Sequence, residues 1–297
     1  YLYQYRYNEQ GHRRRSGGGD DAVRQVSKVI TVIVFIFLYI PIIVLAVASF
    51  SSGTDLAVFK EFTLSRYAEL FKDSALLSLL LNSIIIAVLS TLAATVLGTV
   101  AAAGIHNMGG KIRKFVLNIT NIPMTNPDIV TGVSLALMFA FTGSLLKLNS
   151  VLGFWTLLIA HITFNLPYVI LNVMPRLTQM NPYLSDAAMD LGCTPFRAFM
   201  KVTLYEIMPG IISGALMSFT MSLDDFVISY FVTGSEFVTL PVEIYNYTKK
   251  PIHPKLYALF TLLFTVILFL MILMNVLQSR DRKNKDHRTY KAGTEVS

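Results

Sequence analysis

Six long apolar segments constrain this chain more than any other feature of its sequence. They lie at residues 29–50, 76–105, 115–142, 151–175, 210–232 and 256–277. About 20 apolar residues of helix cross the hydrocarbon of a bilayer, and a helix satisfies its own backbone polar groups there. Only 14% of the residues are charged, against about 25% in soluble domains. The sequence therefore predicts an all-α membrane protein with six transmembrane helices.

The distribution of Lys and Arg predicts how the chain is oriented. With the N-terminus placed inside, 18 of the 25 Lys and Arg residues fall on the cytoplasmic side and 7 outside. Cytoplasmic loops carry the excess of basic residues, so we expect both termini in the cytoplasm. We expect a tail at 1–28, a six-helix domain at 29–277 and a basic tail at 278–297. The net charge of +7 follows from this sorting and does not require nucleic acid as a partner.

The longest predicted cytoplasmic loop, 176–209, carries the signals of two short helices. Asn181 and Thr194 each precede a proline, which is typical of an N-cap followed by the first helical residue. Gly192 lies where the end of a helix favours a left-handed residue. The predicted exposed apolar side chains are Leu184, Leu191, Phe196, Phe199 and Met200. Such a patch either contacts a partner or folds back on the bundle or the bilayer surface, and periodicity alone leaves both open.

This loop resembles the EAA loop of permease subunits of bacterial ABC importers. The family pattern is Glu-Ala-Ala, three residues, Gly, nine residues, Ile, any residue, Leu and Pro. In this chain it falls on Asp186, Ala187, Ala188, Gly192, Val202, Leu204 and Tyr205. Asp replaces Glu, Val replaces Ile, and Tyr205 stands at the usual proline. The resemblance implies that the loop docks on a separate ATP-hydrolysing subunit. The docking elements would be Asp186, Ala187, Ala188, Gly192, Phe196 and Phe199.

Three further stretches resemble the polyamine branch of these permeases, and within it the second spermidine/putrescine permease subunit. They are residues 127–130, 153–167 and 222–234, and the similarity covers about residues 29–285. The resemblance implies the type I importer permease fold in the bacterial inner membrane. It also implies a homologous second permease, two ATP-binding subunits and an external solute-binding protein as partners. ATP would be bound by those partners, and this chain would need no cofactor.

Two acidic residues, Asp224 and Asp225, lie in the middle of the fifth apolar segment. An ionised carboxylate in hydrocarbon costs about 2.5–3.5 kcal/mol on insertion scales. On a continuous helix, Asp225 would share one face with small and hydroxylic residues. These are Gly214, Ser218, Ser222 and Ser229. This face predicts the wall of a cation pathway, with Asp225 ahead of Asp224. Alternatively, the acids bond to a neighbouring helix and hold the bundle together.

Asp128 is the third acid that we place as a candidate for the pathway. It follows Pro127 in a polar part of the third segment. Unwound polar stretches are tolerated at membrane depth where they line a cavity or are buried in protein. A helix-capping or turn role at the membrane edge is equally open. For His161, on an apolar helix, we expect a core histidine with hydrogen-bond partners rather than a ligand.

The sequence lacks a Walker A loop and the HExxH and GxSxG patterns, so ATP hydrolysis must belong to another chain. We predict one half of the transmembrane pore of an ATP-driven importer of polyamines. An importer of iron, sulfate or a phosphonate is one alternative, although an anionic substrate favours basic groups or helix N-termini along its path. A channel or secondary transporter without an ATPase is another. An enzyme using Asp224 and Asp225 is disfavoured, because adjacent residues diverge by about 100° on a helix.

Overall fold

The computed structural model describes residues 2–53, 59–147, 151–235, 237–249, 255–269, 271–273 and 276, with side chains from residue 23 onward. Its helices are α1 (Leu2–Ser49), α2 (Ser65–Lys72), α3 (Ser74–His106), α4 (Gly110–Thr125), α5 (Asp128–Leu145), α6 (Phe154–Gln179), α7 (Tyr183–Asp190), α8 (Pro195–Ala198), α9 (Leu204–Asp224), α10 (Val227–Val232), α11 (Leu240–Thr248) and α12 (Lys255–Leu273). A π-helical turn, Phe199–Thr203, joins α8 to α9.

Six helices in the described part of the chain are long and apolar enough to cross a membrane. They are Val23–Ser49, Ser74–His106, Asp128–Leu145, Phe154–Gln179, Pro195–Asp224 and Lys255–Leu273. Their outer faces leave large apolar side chains such as Phe37, Leu92 and Phe141 exposed. A bilayer can accept such faces, whereas water cannot. The prediction of an all-α protein with six spans is confirmed.

The first of two compact units combines residues 1–70 with residues 253–263. Here α1 is one unbroken helix, so the backbone shows no boundary at residue 28, where the sequence predicts a tail to end. Extending an existing helix needs no new nucleus, which is why the polar residues can continue it. Buried Arg66 donates from Nη1 to the Ala48 carbonyl oxygen at 2.6 Å. The predicted tail at 278–297 lies outside the described residues.

The second unit, residues 71–252 and 264–297, has its core where α3, α6 and α9 meet. Small residues let these helices approach closely, as packing inside a membrane requires. A Cβ added at Gly98 of α3 would lie 2.8 Å from Val169 Cβ of α6. A Cβ at Gly214 of α9 would lie 3.1 Å from Val169 Cα. The small residues of α3 therefore serve contact between helices.

Gly98→Ala should destabilise the chain, because the added methyl group has no space beside Val169. We expect a loss of about 1–3 kcal/mol, the usual cost of overpacking. Thermal unfolding of the purified protein in detergent measures the effect. Gly104→Ala is the matched control in the same helix, since nothing lies within 4 Å of its added Cβ. Equal melting temperatures for the two variants would contradict the close contact.

Two of the predicted spans have different boundaries in the structure. The third, 115–142, is wrong as a single helix: α4 ends at Thr125 and α5 begins at Asp128. Asn126 is extended at φ −78° and ψ 144°, because a residue that precedes proline is pushed away from helical geometry. The fifth, 210–232, is also wrong. The helix begins at Pro195 and ends at Asp224, and α10 is separate.

Candidate functional site

The break between α9 and α10 separates the two adjacent acids. Asp224 is the last residue of α9 and is exposed. Asp225 follows it in an extended conformation, at φ −64° and ψ 119°, and its side chain is only 7% exposed. The predicted continuous polar face from Gly214 to Ser229 is therefore interrupted, and the two carboxylates have different surroundings.

The carboxylate of Asp225 holds the start of α10. Its Oδ2 accepts the backbone N–H of Ser229 at 2.8 Å and the Ser229 hydroxyl at 2.8 Å. Its Oδ1 accepts the backbone N–H of Ile228 at 3.3 Å. The first N–H groups of a helix have no partner within the helix, so a carboxylate at this position stabilises it.

His161 of α6 joins the two sides of this break. Its Nδ1 lies 2.6 Å from the Ser222 hydroxyl on α9, and its Nε2 lies 3.0 Å from the Ser229 hydroxyl on α10. The same Nε2 lies 3.5 Å from Asp225 Oδ2. His161 is almost fully buried. The prediction of a core histidine with hydrogen-bond partners is confirmed.

The polar network continues from Ser222 into α3. The Ser222 hydroxyl lies 3.1 Å from the Ser90 hydroxyl, which also accepts Asn165 Nδ2 at 3.4 Å. Asn165 is one helical turn beyond His161 on α6. All these groups are buried. A connected network of this kind fixes the relative positions of α3, α6, α9 and α10.

The third acid, Asp128, is the first residue of α5. One turn later, a Cβ added at Gly132 would lie 3.0 Å from Phe231 Cδ2 and 3.4 Å from Ile228 Cα. The beginning of α5 therefore packs against α10. Asp128 itself is exposed. The structure thus brings the two segments that carry the candidate acids together around one short helix.

The loop at 176–209 folds locally as its sequence predicts. Asn181 Oδ1 accepts the backbone N–H of Tyr183 at 3.0 Å. Gly192 has a φ of +88°, in the left-handed region that glycine tolerates. Thr194 caps α8 by accepting the backbone N–H of Arg197 at 3.4 Å. The predicted second short helix is not separate, however, because the π turn continues it directly into α9.

Several apolar side chains of this loop are exposed, as expected. Leu191 is 88% exposed and Phe196 is 73% exposed, while Phe199 is half-buried. Asp186 and Ala187 face solvent, whereas Ala188 packs inward. The exposed apolar residues of the loop include Leu184, Leu191, Phe196 and Met200. These exposed residues lie on α7, α8 and the turns that follow them.

A family model described as the binding-protein-dependent transport system inner membrane component matches residues 94–283. The chain belongs to this family. In this transport permease, the match includes the whole loop at 176–209 and the break between α9 and α10. The loop and the candidate acids therefore lie in the part of the chain that the family model matches.

Relatives with long matches to the permease are known from Escherichia coli (strain K12). The spermidine/putrescine transport system permease protein PotC is 36% identical over 249 residues, which are 84% of this chain and 92% of PotC. The putrescine transport system permease protein PotI is 36% identical over 260 residues, 86% of this chain and 92% of PotI.

Solved structures share the fold of the permease. A bacterial ABC transporter involved in the import of alginate matches with a TM-score of 0.69 at 18% identity, covering 88% of this chain and 96% of that chain. The MetNI methionine ABC transporter matches with a TM-score of 0.53 at 19% identity, covering 68% and 95%. At these identities the likeness concerns the fold alone, and it confirms the importer-permease fold.

The sequence analysis missed part of the polar network around α10. Sequence reasoning placed Asp225, Ser222 and Ser229 in one group but did not connect them to His161. The contributions of Ser90 and Asn165 were also missed. The spacing of His161 and Asn165, four residues apart on an apolar helix, was an available signal of one shared polar face.

Proposed function

We propose that this chain is one half of the transmembrane pore of an ATP-driven importer of polyamines. The observation that carries this proposal is the 36% identity to PotC and PotI over most of all three chains. Both relatives are named for putrescine transport, and PotC also for spermidine. Polyamines are cations at neutral pH, and acidic residues along the path suit them. An anionic substrate would favour basic groups there.

The partners proposed for this chain follow from its family. They are a homologous second permease, two ATP-binding subunits and an external solute-binding protein, all assembled at the lipid bilayer. One solved alginate transporter with this fold was captured with a periplasmic protein bound to an alginate pentasaccharide. ATP would be bound by the ATP-binding subunits, and this chain would serve as a non-catalytic pore without a cofactor.

We place the exposed loop residues Leu184, Leu191, Phe196 and Met200, which we call the coupling surface, in the cytoplasm together with both termini. The helix from Pro195 to Asp224 has 30 residues and spans about 45 Å. If its beginning lies at the cytoplasmic face, its end at Asp224 lies near the outer face of the bilayer. The basic residues at 176–209 and at 278–297 favour this orientation.

The candidate residues of the pathway then divide into two roles. Asp224 and Asp128 expose their carboxylates and are placed to attract a passing cation. Asp225, Ser222 and Ser229 are bonded to one another or to His161. We propose that these three hold the shape of the pathway, with less direct contact with the substrate than the sequence predicts.

The test of the function is uptake of labelled spermidine and putrescine by proteoliposomes that contain the complete transporter. We expect uptake that requires ATP and the solute-binding protein. Labelled iron, sulfate and a phosphonate should not be taken up. Uptake without ATP would show that the protein functions as a channel or secondary transporter and not as an ATP-driven importer. Uptake of one of the other solutes, with none of polyamines, would assign a different substrate.

A further inference from the structure

Three aromatic rings meet directly after the two acids. The ring centroids of Phe226 and Tyr245 are 4.6 Å apart, those of Phe226 and Tyr230 are 5.5 Å apart, and those of Tyr230 and Tyr245 are 5.7 Å apart. We call these three residues the aromatic cluster. Every pair falls in the range of favourable aromatic contacts. The cluster therefore joins the beginning of α10 to α11.

The cluster lies on an accessible side of α10. Tyr230 is 43% exposed and Tyr245 is 39% exposed. Ile228 and Val232, which occupy the other side of the same helix, are almost fully buried in the core. Phe226 follows Asp224 by two residues. Aromatic faces and an exposed carboxylate are thus presented within one short stretch of chain.

An amine of the chain itself already occupies one ring of the cluster. The ammonium Nζ of Lys249 lies 4.4 Å from the ring centroid of Tyr245. This is within the about 6 Å over which a cation and a ring attract each other. Lys249 follows Tyr245 by four residues near the end of α11, a spacing that brings helix side chains together. Because the pair is exposed, the contact is weak and can be displaced.

We propose that Phe226, Tyr230 and Tyr245 form a subsite for a protonated alkylamine, in which Lys249 occupies the Tyr245 ring until the substrate amine replaces it. The lysine side chain ends in a primary alkylammonium group, which is also the end group of a linear polyamine. This subsite rests on the proposed function and specifies where that substrate is held. The ring faces attract the ammonium group and the ring edges contact the methylene groups between charges.

Simple packing of α10 against α11 is the competing explanation, and ring electronics separate the two. Fluorine atoms on a phenyl ring withdraw the negative charge of its face while barely changing its size. The attraction for a cation then falls with each fluorine, while the apolar area of the ring barely changes. Contacts between rings also respond to fluorine, so the thermal unfolding of each variant is measured as well: packing alone predicts that stability and uptake fall together, whereas a cation subsite predicts a loss of uptake at unchanged stability. Phenylalanine and its mono-, di- and trifluorinated forms can be introduced at position 245 for this purpose.

The test measures the initial rate of labelled putrescine uptake at limiting concentration, with the complete transporter in proteoliposomes. Tyr245→Phe should retain the wild-type rate within about twofold. The fluorinated series should fall stepwise, by about 3- to 30-fold in total. The same series at Tyr247, on the same helix but outside the ring contacts of the described residues, should leave the rate unchanged. A flat series at position 245 would overturn the subsite.

Lys249→Met provides the second test, because it removes the competing amine but keeps a flexible apolar side chain. We expect the uptake rate at limiting putrescine to rise by about 2- to 5-fold. This gain corresponds to removing the weak, exposed attraction between the Lys249 ammonium and the Tyr245 ring. Lys60→Met, another exposed lysine, should have no effect. A lower rate in Lys249→Met would overturn the displacement. Absence of polyamine uptake by the wild type would instead remove the proposed function, which keeps the two failures distinct.

Discussion

Asp225→Ala should destabilise the protein by about 2–4 kcal/mol, whereas Asp224→Ala should change its stability by no more than about 0.5 kcal/mol. The Asp225 carboxylate accepts three hydrogen bonds at the start of α10 and faces His161. Its loss leaves buried donors without an acceptor. Asp224 ends α9 with an exposed side chain, so its truncation leaves no such donors behind. Thermal unfolding of the purified chains measures this difference.

Polyamine uptake, compared at equal amounts of assembled transporter, should depend more on Asp224 than on Asp225, which is the reverse of the effect on stability. Asp224→Ala removes an exposed negative charge from the proposed path and should reduce polyamine uptake by about tenfold, the lower end of electrostatic steering effects. Asp225→Asn retains an acceptor oxygen for α10, so it should be more stable than Asp225→Ala and keep most of its uptake per assembled transporter. If Asp225→Asn had wild-type stability but no uptake, the result would indicate that the Asp225 carboxylate contacts the substrate directly.

The parts of this fold that follow from short-range rules could be predicted from the sequence. The lengths of the apolar segments predict the six spans, because the thickness of the bilayer sets the minimum length of a helix that crosses it. Asn181, Gly192 and Thr194 predict the turns of the loop, because caps and left-handed positions depend on the residues beside them. The same applies to the boundary before Asp128, where Pro127 carried a signal that the long apolar run concealed.

The break at Asp225 could not be predicted in this way. No proline or glycine lies between Ser222 and Ile228, and the apolar pattern continues across the break. The chain can leave the helix there because Asp225 caps α10 and His161 bonds to both Ser222 and Ser229. The Asp225 cap is local, but the His161 contacts join residues that are 61 and 68 positions apart in the sequence. Local patterns carry no information about such pairing, which only tertiary packing supplies.

Phe196→Asp should abolish ATP-driven uptake while leaving the fold of the chain intact. Phe196 is 73% exposed, so a polar replacement costs the isolated chain little. On a docking surface, loss of one central aromatic residue costs about 2–4 kcal/mol, which lowers affinity by about 30- to 1,000-fold. Co-purification of the ATP-binding subunits and the ATPase rate of the complex measure the effect. Phe196→Leu is the matched control and should retain both association and uptake.

The continuity of the helix explains why this single position should matter for transport as well as assembly. From Pro195, the chain passes through the π turn into α9 and remains helical to Asp224. A displacement imposed at Phe196 by a closing ATPase can therefore be carried along about 45 Å of one helix to the acids. The Ser222 and His161 contacts near its end would pass that displacement to α10 and α6. Normal ATPase association and uptake in Phe196→Asp would show that the motor engages another part of the chain, and this route would then be excluded.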